Sequence, residues 1–257
     1  MSHLIKTKDE LQVMRKSGQV TALILKKLIA AVKPGVNLLD LEALANRELE
    51  ILKARASFKS VPGYHFATCL NVNSEVVHGL PRNIILKSGD ILKIDFGAEV
   101  DGWHTDAAWT VMVAGSTESG NSKLLTIGEE AMWAGIKQAQ AGNKIGDISC
   151  ALQEVIENAG YNVVRSLCGH GVGRSGHEDP EVPTFGEKNT GLELQSGMTL
   201  AIEAIYTAGS GRVVTIEDGW TISSEDQSLA GLFEMTVIVG DSPEVLTDWR
   251  RRDNFGL

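Results

Sequence analysis

Apolar residues recur at helical spacing in the first part of the chain. A capping-box pattern over residues 7–10 precedes an apolar stripe, and Pro34 and Gly35 stop it. The stripe consists of Leu11, Met14, Ile24, Leu25, Leu28 and Ile29. A second helix is expected from about Leu39 to Ala54. The pattern therefore predicts two consecutive helices at this end of the chain.

Residues 68–113 follow a different pattern, in which β-branched and aromatic residues alternate with short turn sequences. Helical spacing returns at about 123–140 and 147–159, and Gly160 is a stop signal. Strand-like sequence dominates again over 162–246. The order of helices followed by strands thus occurs twice. It predicts an α+β protein with helices on one face of a curved antiparallel sheet.

Two segments of the first half return in the second half. Residues 86–95 recur without a gap as residues 194–203, and residues 35–41 recur as residues 142–148. The two offsets agree within one residue, which chance similarity would not produce. The sequence therefore predicts an internal duplication.

Both copies of the longer repeat end in a carboxylate, Asp95 in the first and Glu203 in the second. Two equivalent acids in two related halves favour a metal-binding cage between them. We therefore expect one catalytic domain made of two pseudo-symmetric halves. The expected bounds are 1–257 for the domain, roughly 1–115 and 116–248 for the halves, and 249–257 for a tail.

The charge of the chain narrows the range of partners. Its 257 residues include 24 basic and 33 acidic ones, so the net charge is −9. This balance argues against a general nucleic-acid surface and against an anionic membrane partner. The basic run Arg250–Arg252 is interpreted as a solvated tail, and a transient ribosome contact is left open.

The three cysteines Cys69, Cys150 and Cys168 lack CxxC spacing. Neither a disulfide framework nor a thiolate zinc site is therefore indicated. The first residues also lack the apolar core of a signal peptide. We expect a cytoplasmic protein.

A tight turn brings two acids of the first half together. Asp101-Gly102 is a strong hairpin signal, and a turn at this point pairs Asp95 with Ala108. Asp106 then lies on the same face as Asp95, with the two backbones roughly 7–8 Å apart. Two buried anions without a cation are strongly unfavourable, so a metal, a shared proton or solvent exposure must resolve the pair.

The second half supplies further candidate ligands. Glu203 and Glu234 stand among apolar strand residues. An outward orientation on an exposed strand face is the alternative, but the repeat favours a shared environment for Asp95 and Glu203. His170 and His177 fall in one glycine-rich stretch. A lone histidine is more often structural than a ligand, so His170 gains weight only together with the acids.

One imidazole and four carboxylates form an oxygen-rich donor set. Such a set suits Mn, Fe or Co, with Zn also acceptable. Four carboxylates exceed what one divalent ion needs, whereas two ions would balance their charge. A pair of ions acting as Lewis acids supports hydrolysis.

The chain resembles the type I bacterial methionine aminopeptidases, which share the pita-bread fold with prolidase, Xaa-Pro aminopeptidase and creatinase. The resemblance extends over about residues 4–247. It rests on residues 75–81, 86–95, 101–106, 168–174 and 218–221. It implies a pita-bread fold and removal of the N-terminal methionine from nascent proteins and peptides when the second residue is small.

The resemblance also implies a role for each site residue. Five would hold two divalent ions (Co, Mn, Fe, Zn or Ni), and these are Asp95, Asp106, His170, Glu203 and Glu234. Asp106 and Glu234 would bridge the two ions, and Glu203 would also shuttle a proton. His78 and His177 would bind the substrate near the scissile amide and act in catalysis. The methionine pocket would include Tyr64, Cys69 and Trp220.

Four positions depart from the usual family pattern, namely Phe58, Gly176, Ala204 and Met235. None is an expected ligand, so the departures bear on side-chain preference and rate. A proline-specific Xaa-Pro peptidase of the same fold and a non-catalytic binding protein on this scaffold are the alternatives. The length of the chain disfavours the Xaa-Pro peptidase, and the complete ligand set disfavours the non-catalytic binding protein. A monomer is expected.

Overall fold

The computed structural model describes residues 4–113 and 119–250, with side chains described from 122 onward in the second range. Within these residues, four α-helices form: α1 (Lys8–Ala31), α2 (Leu38–Ile51), α3 (Ser119–Gln138) and α4 (Ile145–Asn158). Of the expected tail at 249–257, only its first two residues fall within the described residues. Arg251 and Arg252 lie outside them.

The helix predictions are confirmed in number and position. Thr7 caps α1 through the capping box expected from the sequence, with Glu10 as its partner. Helix α2 ends three residues before the predicted boundary. The reason is that Lys53 adopts a φ of 53°, a left-handed conformation that ends a right-handed helix.

Thirteen strands complete the described structure. Those of the first half are β1 (Arg55–Ala56), β2 (Thr68–Val72), β3 (Glu75–Val77), β4 (Ile91–Val100) and β5 (Trp103–Met112). Those that follow α4 are β6 (Asn162–Val163), β7 (Cys168–Gly171), β8 (Glu178–Pro183), β9 (Thr199–Thr207), β10 (Val213–Thr215), β11 (Ile222–Ser224), β12 (Ala230–Ile238) and β13 (Glu244–Val245). A short 3-10 helix spans Phe58–Ser60.

Ten of these strands form one sheet. Its central path runs β1-β4-β5-β12-β9-β7-β8, with β2 paired to β4, β13 to β12 and β6 to β9. All of these pairings are antiparallel, as the sequence predicts. A separate three-stranded sheet has the order β10-β11-β3. The hairpin β4–β5 therefore meets the pair β9–β12 along the contact between β5 and β12.

The helices cover one face of the large sheet. Helix α1 packs on β4 and β5, and α3 packs on β9 and β12. Successive strand residues point to opposite faces, so alternate residues meet the helices. Ile94, Phe96, Ile202 and Phe233 are almost fully buried there, in one core cluster with helix residues. The opposite face is left to the candidate site, and the predicted α+β class is confirmed.

The division of the chain into two duplicated halves stays a prediction. None of the described helices is long and apolar enough to cross a membrane. The three cysteines are free thiols.

Candidate functional site

Three acids lie in one row across the centre of the large sheet. Asp95 on β4 is paired with Ala108 on β5, Ala108 with Glu234 on β12, and Glu234 with Glu203 on β9. Directly paired residues point to the same face, so all four side chains project away from the helices. Ala108 separates Asp95 from Glu234 with a single methyl group. The small residue leaves room for the carboxylates on either side of it.

Asp106 and His170 reach the same face by strand alternation. The predicted turn at Asp101-Gly102 is present, so Asp95 is paired with Ala108, and Asp106 lies two residues before Ala108. His170 on β7 is paired with Ala201, two residues before Glu203. One ligand atom from each of Asp106, His170 and Glu234 lies within 4.8 Å of the other two.

The four acids are buried, with exposed fractions of 8% for Asp95, 4% for Asp106, 8% for Glu203 and 3% for Glu234. Burial raises the pKa of Asp106 to about 7. It also raises the pKa values of Asp95, Glu203 and Glu234 well above their usual range, and the negative charge of Asp106 adds to the effect. Without a cation, the cluster would therefore hold protons at neutral pH.

His170 is fixed as a neutral imidazole with one free nitrogen. Its Nδ1 lies 2.8 Å from the carbonyl oxygen of Gly171, which can only accept, so Nδ1 carries the proton. Burial lowers the pKa of His170 to about 3. The 3.6 Å contact between its Nε2 and Glu203 is therefore not an ion pair at neutral pH. Nε2 offers a lone pair toward the carboxylates.

These residues fit a divalent metal. Asp95 Oδ1 and Glu234 Oε1 are buried and have no hydrogen-bond partner among the described residues. A buried carboxylate oxygen without a donor is expensive unless a cation compensates it. Four acids and a neutral imidazole are the donor set that Mn, Fe, Co or Zn accepts. The chemistry of the cluster thus fits a metal site.

Two further histidines border the acids. The ring of His177 lies 4.2 Å from the ring of His170, measured between centroids. Burial lowers the pKa of His177, and burial together with the nearby His177 lowers the pKa of His78. His78 adopts a φ of 59°, and the glycine that follows it has no room for a Cβ, because Leu70 O would lie at 2.5 Å. Both rings are neutral donors at pH 7.

An apolar recess adjoins the acids. Tyr64 donates a hydrogen bond to Thr68 O at 2.8 Å and lies 3.1 Å from Cys69 Sγ. Its ring contacts Trp220 edge to face, with centroids 5.1 Å apart. The Phe58 ring also contacts the Tyr64 ring edge to face, with centroids 6.4 Å apart. These walls form a pocket for an uncharged side chain, and the sulfur of Cys69 suits a thioether.

The structure brings every predicted site residue to one cavity of about 150 Å³. They are Tyr64, Cys69, His78, Asp95, Asp106, His170, His177, Glu203, Trp220 and Glu234. Val61 and Val77 also line it, and sequence reasoning missed both. Val77 is the last residue of β3 and directly precedes His78. Its position next to a predicted site residue could have identified it from the sequence. No comparable signal marks Val61.

The four departures from the family pattern fall in two places. Ala204 and Met235 point to the helix face and belong to the core cluster, away from the acids. Phe58 lines the cavity itself. A Cβ on Gly176 would lie 3.1 Å from Ser57 Oγ, so this position is tightly packed beside His177. Of the four departures, only Phe58 lines the cavity, and Gly176 directly precedes the cavity residue His177.

Comparison with known proteins gives a consistent assignment. The model of metallopeptidase family M24 matches residues 12–224. Methionine aminopeptidase 1 of Bacillus subtilis (strain 168) is 40% identical over 239 residues, covering 93% of this chain and 96% of that protein. A methionine aminopeptidase of Clostridium perfringens is 41% identical over 245 residues, covering 95% and 98%.

Solved structures agree. A methionine aminopeptidase from Thermotoga maritima superimposes with a TM-score of 0.92 at 40% identity, covering 95% of this chain and 98% of that one. Prolidase from Pyrococcus furiosus gives a TM-score of 0.78 at 21% identity, and the match covers 66% of its length. The prolidase shares the fold, and the predicted pita-bread architecture is confirmed.

Proposed function

Because this chain belongs to metallopeptidase family M24, we infer that it is a metal-dependent methionine aminopeptidase. It removes the N-terminal methionine from peptides and proteins. The predicted enzyme class agrees with relatives about 40% identical over nearly the whole chain. The Xaa-Pro peptidase alternative is represented by much more distant relatives.

One structural observation carries this function. A buried cluster of four acids and a neutral histidine opens into an apolar recess lined by Tyr64, Cys69 and Trp220. The acids provide the hydrolytic centre, and the recess accepts an unbranched, uncharged side chain next to it. A methionine side chain in the recess would place the first peptide bond of the substrate beside the acids.

We propose that Asp95, Asp106, His170, Glu203 and Glu234 hold two divalent ions. Four carboxylates carry more negative charge than one divalent ion can balance. A second ion would compensate the remaining charge, so two ions are favoured over one. When bound, the metal supplies Lewis acidity that activates water and polarises the amide. Mn, Fe, Co, Ni and Zn all tolerate this donor set, so the ion in the cell depends on availability.

The remaining polar residues handle the substrate and its protons. Glu203 would act as the proton shuttle, since its carboxylate lies among the proposed ligands and could take a proton from the attacking water and pass it to the leaving amine. His177 is neutral at pH 7 because burial lowers its pKa, and it can donate an N–H to the oxygen that becomes negative. His78 would hydrogen-bond the peptide on the same side.

The preference for a small second residue stays a prediction. Nascent chains are the expected cellular substrates. The monomeric state, the cytoplasmic location and the transient ribosome contact also stay predictions.

The first experiment is metal reconstitution. The protein is stripped with a chelator, and release of free methionine from a Met-Ala-Ser peptide is measured before and after adding Mn, Co, Fe(II) or Zn. We expect activity to return with at least one ion. Cleavage of Xaa-Pro peptides, without release of methionine from Met-Ala-Ser, would instead support the proline-specific alternative.

A variant of one ligand separates metal chemistry from folding. Asp106→Asn should abolish methionine release in a folded protein, because a neutral amide replaces a proposed bridging carboxylate. Asp241→Asn, which changes an exposed aspartate, is the matched control and should remain fully active. Full activity of Asp106→Asn would rule out the proposed two-ion cage.

A further inference from the structure

Lys6 is a buried cation outside the site, with an exposed fraction of 6%. Its backbone is held in place just before α1. The Lys6 N–H donates to Gly197 O at 2.9 Å, and Ile5 forms a β-bridge with Met198. The capping residue Thr7 follows directly. The segment before α1 thus anchors the lysine against the turn that leads into β9.

The Lys6 side chain forms an ion pair with Glu178. Its Nζ lies 2.7 Å from Glu178 Oε2, and the two side chains are exposed by 3% and 15%. The other oxygen, Oε1, accepts a hydrogen bond from Ser175 N at 3.0 Å. The Glu178 carboxylate therefore joins the segment before α1 to the loop that connects β7 and β8.

This loop is closely packed around the ion pair. A Cβ on Gly173 would lie 2.7 Å from Lys6 Cε and 2.8 Å from Glu178 Oε2, so a larger residue there would require the two paired side chains to shift. Gly173 O also accepts a hydrogen bond from His104 N at 2.7 Å. The backbone of Glu178 itself is paired with Gly171. The ion pair is a side-chain contact at the end of the loop that enters β8.

His177 is the loop residue directly before Glu178, and it enters the cavity. Among the described residues, none forms a hydrogen bond with the His177 ring. The ring is therefore oriented by packing against His170 and by the backbone on which it is carried. The backbone of His177 continues directly into Glu178, whose side chain is paired with Lys6.

We propose that Lys6 and Glu178 are positioning residues, whose buried ion pair holds His177 in the orientation needed to donate to the substrate. The proposal rests on the function inferred above. It assigns Lys6 no contact with substrate or metal. Misplacing a catalytic group by about 1 Å lowers turnover by up to about 100-fold, so the expected effect is on kcat.

The test is a set of single and double variants assayed for methionine release with metal content monitored. Lys6→Met should lower kcat by about 10- to 100-fold with KM and bound metal little changed. Lys6→Arg, which keeps the positive charge, should retain most of the kcat that Lys6→Met loses. Lys27→Met is the matched control, because Lys27 forms an ion pair with Glu48 between α1 and α2, away from the cavity. It should leave kcat unchanged.

The decisive measurement places Lys6→Met in the His177→Ala background. If Lys6 acts through His177, the second substitution should cause no further loss of kcat, because coupled residues are not additive. An equal further loss in that background would overturn the proposal, as would normal kcat in folded Lys6→Met protein. Should Lys6→Met fail to fold, Glu178→Gln enters the same cycle with the same expected outcomes.

NMR spectroscopy, which does not require enzyme activity, tests the positioning role of Lys6 separately from the proposed function. Imidazole NMR signals of His177 and His170 should shift in Lys6→Met and stay unchanged in Lys27→Met, since the two rings are in contact. Unchanged signals would refute positioning even in an active enzyme. If the wild-type protein released no methionine, the proposed function would fail while the NMR comparison still decided the role of Lys6.

Discussion

The protonation of His170 follows from a single backbone contact. The Gly171 carbonyl accepts a hydrogen bond from Nδ1–H, and burial keeps the ring neutral by lowering its pKa to about 3. Both effects free Nε2 for a metal. The sequence placed His170 beside a glycine but contained no information on the tautomer, which depends on where the Gly171 carbonyl points.

The role of His177 can be tested by removing its ring. His177→Ala should lower kcat by about 10²–10³-fold, the usual effect of losing one donor to a developing oxyanion. Bound metal, measured by elemental analysis, should not change. His65→Ala removes an exposed histidine outside the cavity and is the control. Loss of metal in His177→Ala would make His177 a ligand and contradict the role proposed here.

The size of the apolar recess depends on Phe58. Phe58→Ala should raise kcat/KM for peptides that begin with phenylalanine, relative to methionine, by about 10-fold or more. Each methylene that a pocket newly accepts is worth about 1–3 kcal/mol of transition-state binding. Phe66→Ala is the matched control, because Phe66 also contacts Tyr64 edge to face but does not line the cavity. An unchanged preference in Phe58→Ala would show that other residues limit the recess.

At the level of elements, the hairpin β4–β5 determines where two of the acids lie. Asp101 and Gly102 adopt φ values of 51° and 79°, as a two-residue turn of type I′ requires. A shift of one residue in register would turn Asp95 and Asp106 into the helix-covered core. The sequence alone therefore predicts this half of the cluster well, since the turn residues specify the register.

The turn is open to a stability test. Gly102→Ala should lower the free energy of unfolding by about 1–2 kcal/mol, the penalty of a Cβ in the left-handed region. Urea denaturation measures the change, and methionine release should persist because the pairing is otherwise intact. Asp101→Asn is the control, because asparagine tolerates a positive φ, and it should be nearly neutral. An unchanged stability of Gly102→Ala would mean that the turn can relax.

Lys93 on β4 shows what an element's sequence does not reveal. It stands two residues from Asp95 on the same face and is fully buried. Its Nζ donates to Asn73 O at 2.6 Å, and burial lowers its pKa to about 7. Alternation along the strand identifies the face, but only the path of the turn between β2 and β3 provides the carbonyl that satisfies the ammonium.

At the level of the whole molecule, the buried acids link stability to pH. The pKa of Asp106 is raised from 3.8 to about 7 by burial, so its contribution to stability is present below pH 3.8 and lost as pH rises through about 7. The pKa values of Asp95, Glu203 and Glu234 are raised by the same cause. Lys93 acts in the opposite direction, but it is a single group.

Thermal unfolding of chelated protein should therefore show a Tm that falls more, or rises less, from pH 6.5 to 8 in the wild type than in Asp106→Asn. The histidines whose pKa values burial lowers act in the opposite direction near pH 6.5, because a free histidine is half protonated there, but this contribution is common to both proteins and cancels in the comparison. Added Mn should raise Tm more at pH 8 than at pH 6.5, since its ligands bind deprotonated. An equal pH dependence of Tm in the two chelated proteins would contradict the raised pKa of Asp106.

The sequence by itself determined the elements and the residues that bear chemistry. Capping signals, helical spacing and turn residues act over a few neighbouring positions, so Thr7, Gly160 and Asp101-Gly102 can be interpreted without coordinates. The two matching segments that end in Asp95 and Glu203 pointed to a shared environment for acids far apart in the chain. The resemblance supplied the roles, which remain predictions.

Tertiary structure decided how those residues meet. The pairing of β5 with β12 places Glu234 in the row with Asp95, and no local signal specifies a contact between strands so distant in sequence. Val61 in the cavity wall and the Lys6–Glu178 ion pair depend in the same way on packing between remote segments. Burial, pKa values and close packing arise only when the chain is folded, because they depend on what surrounds a residue in space.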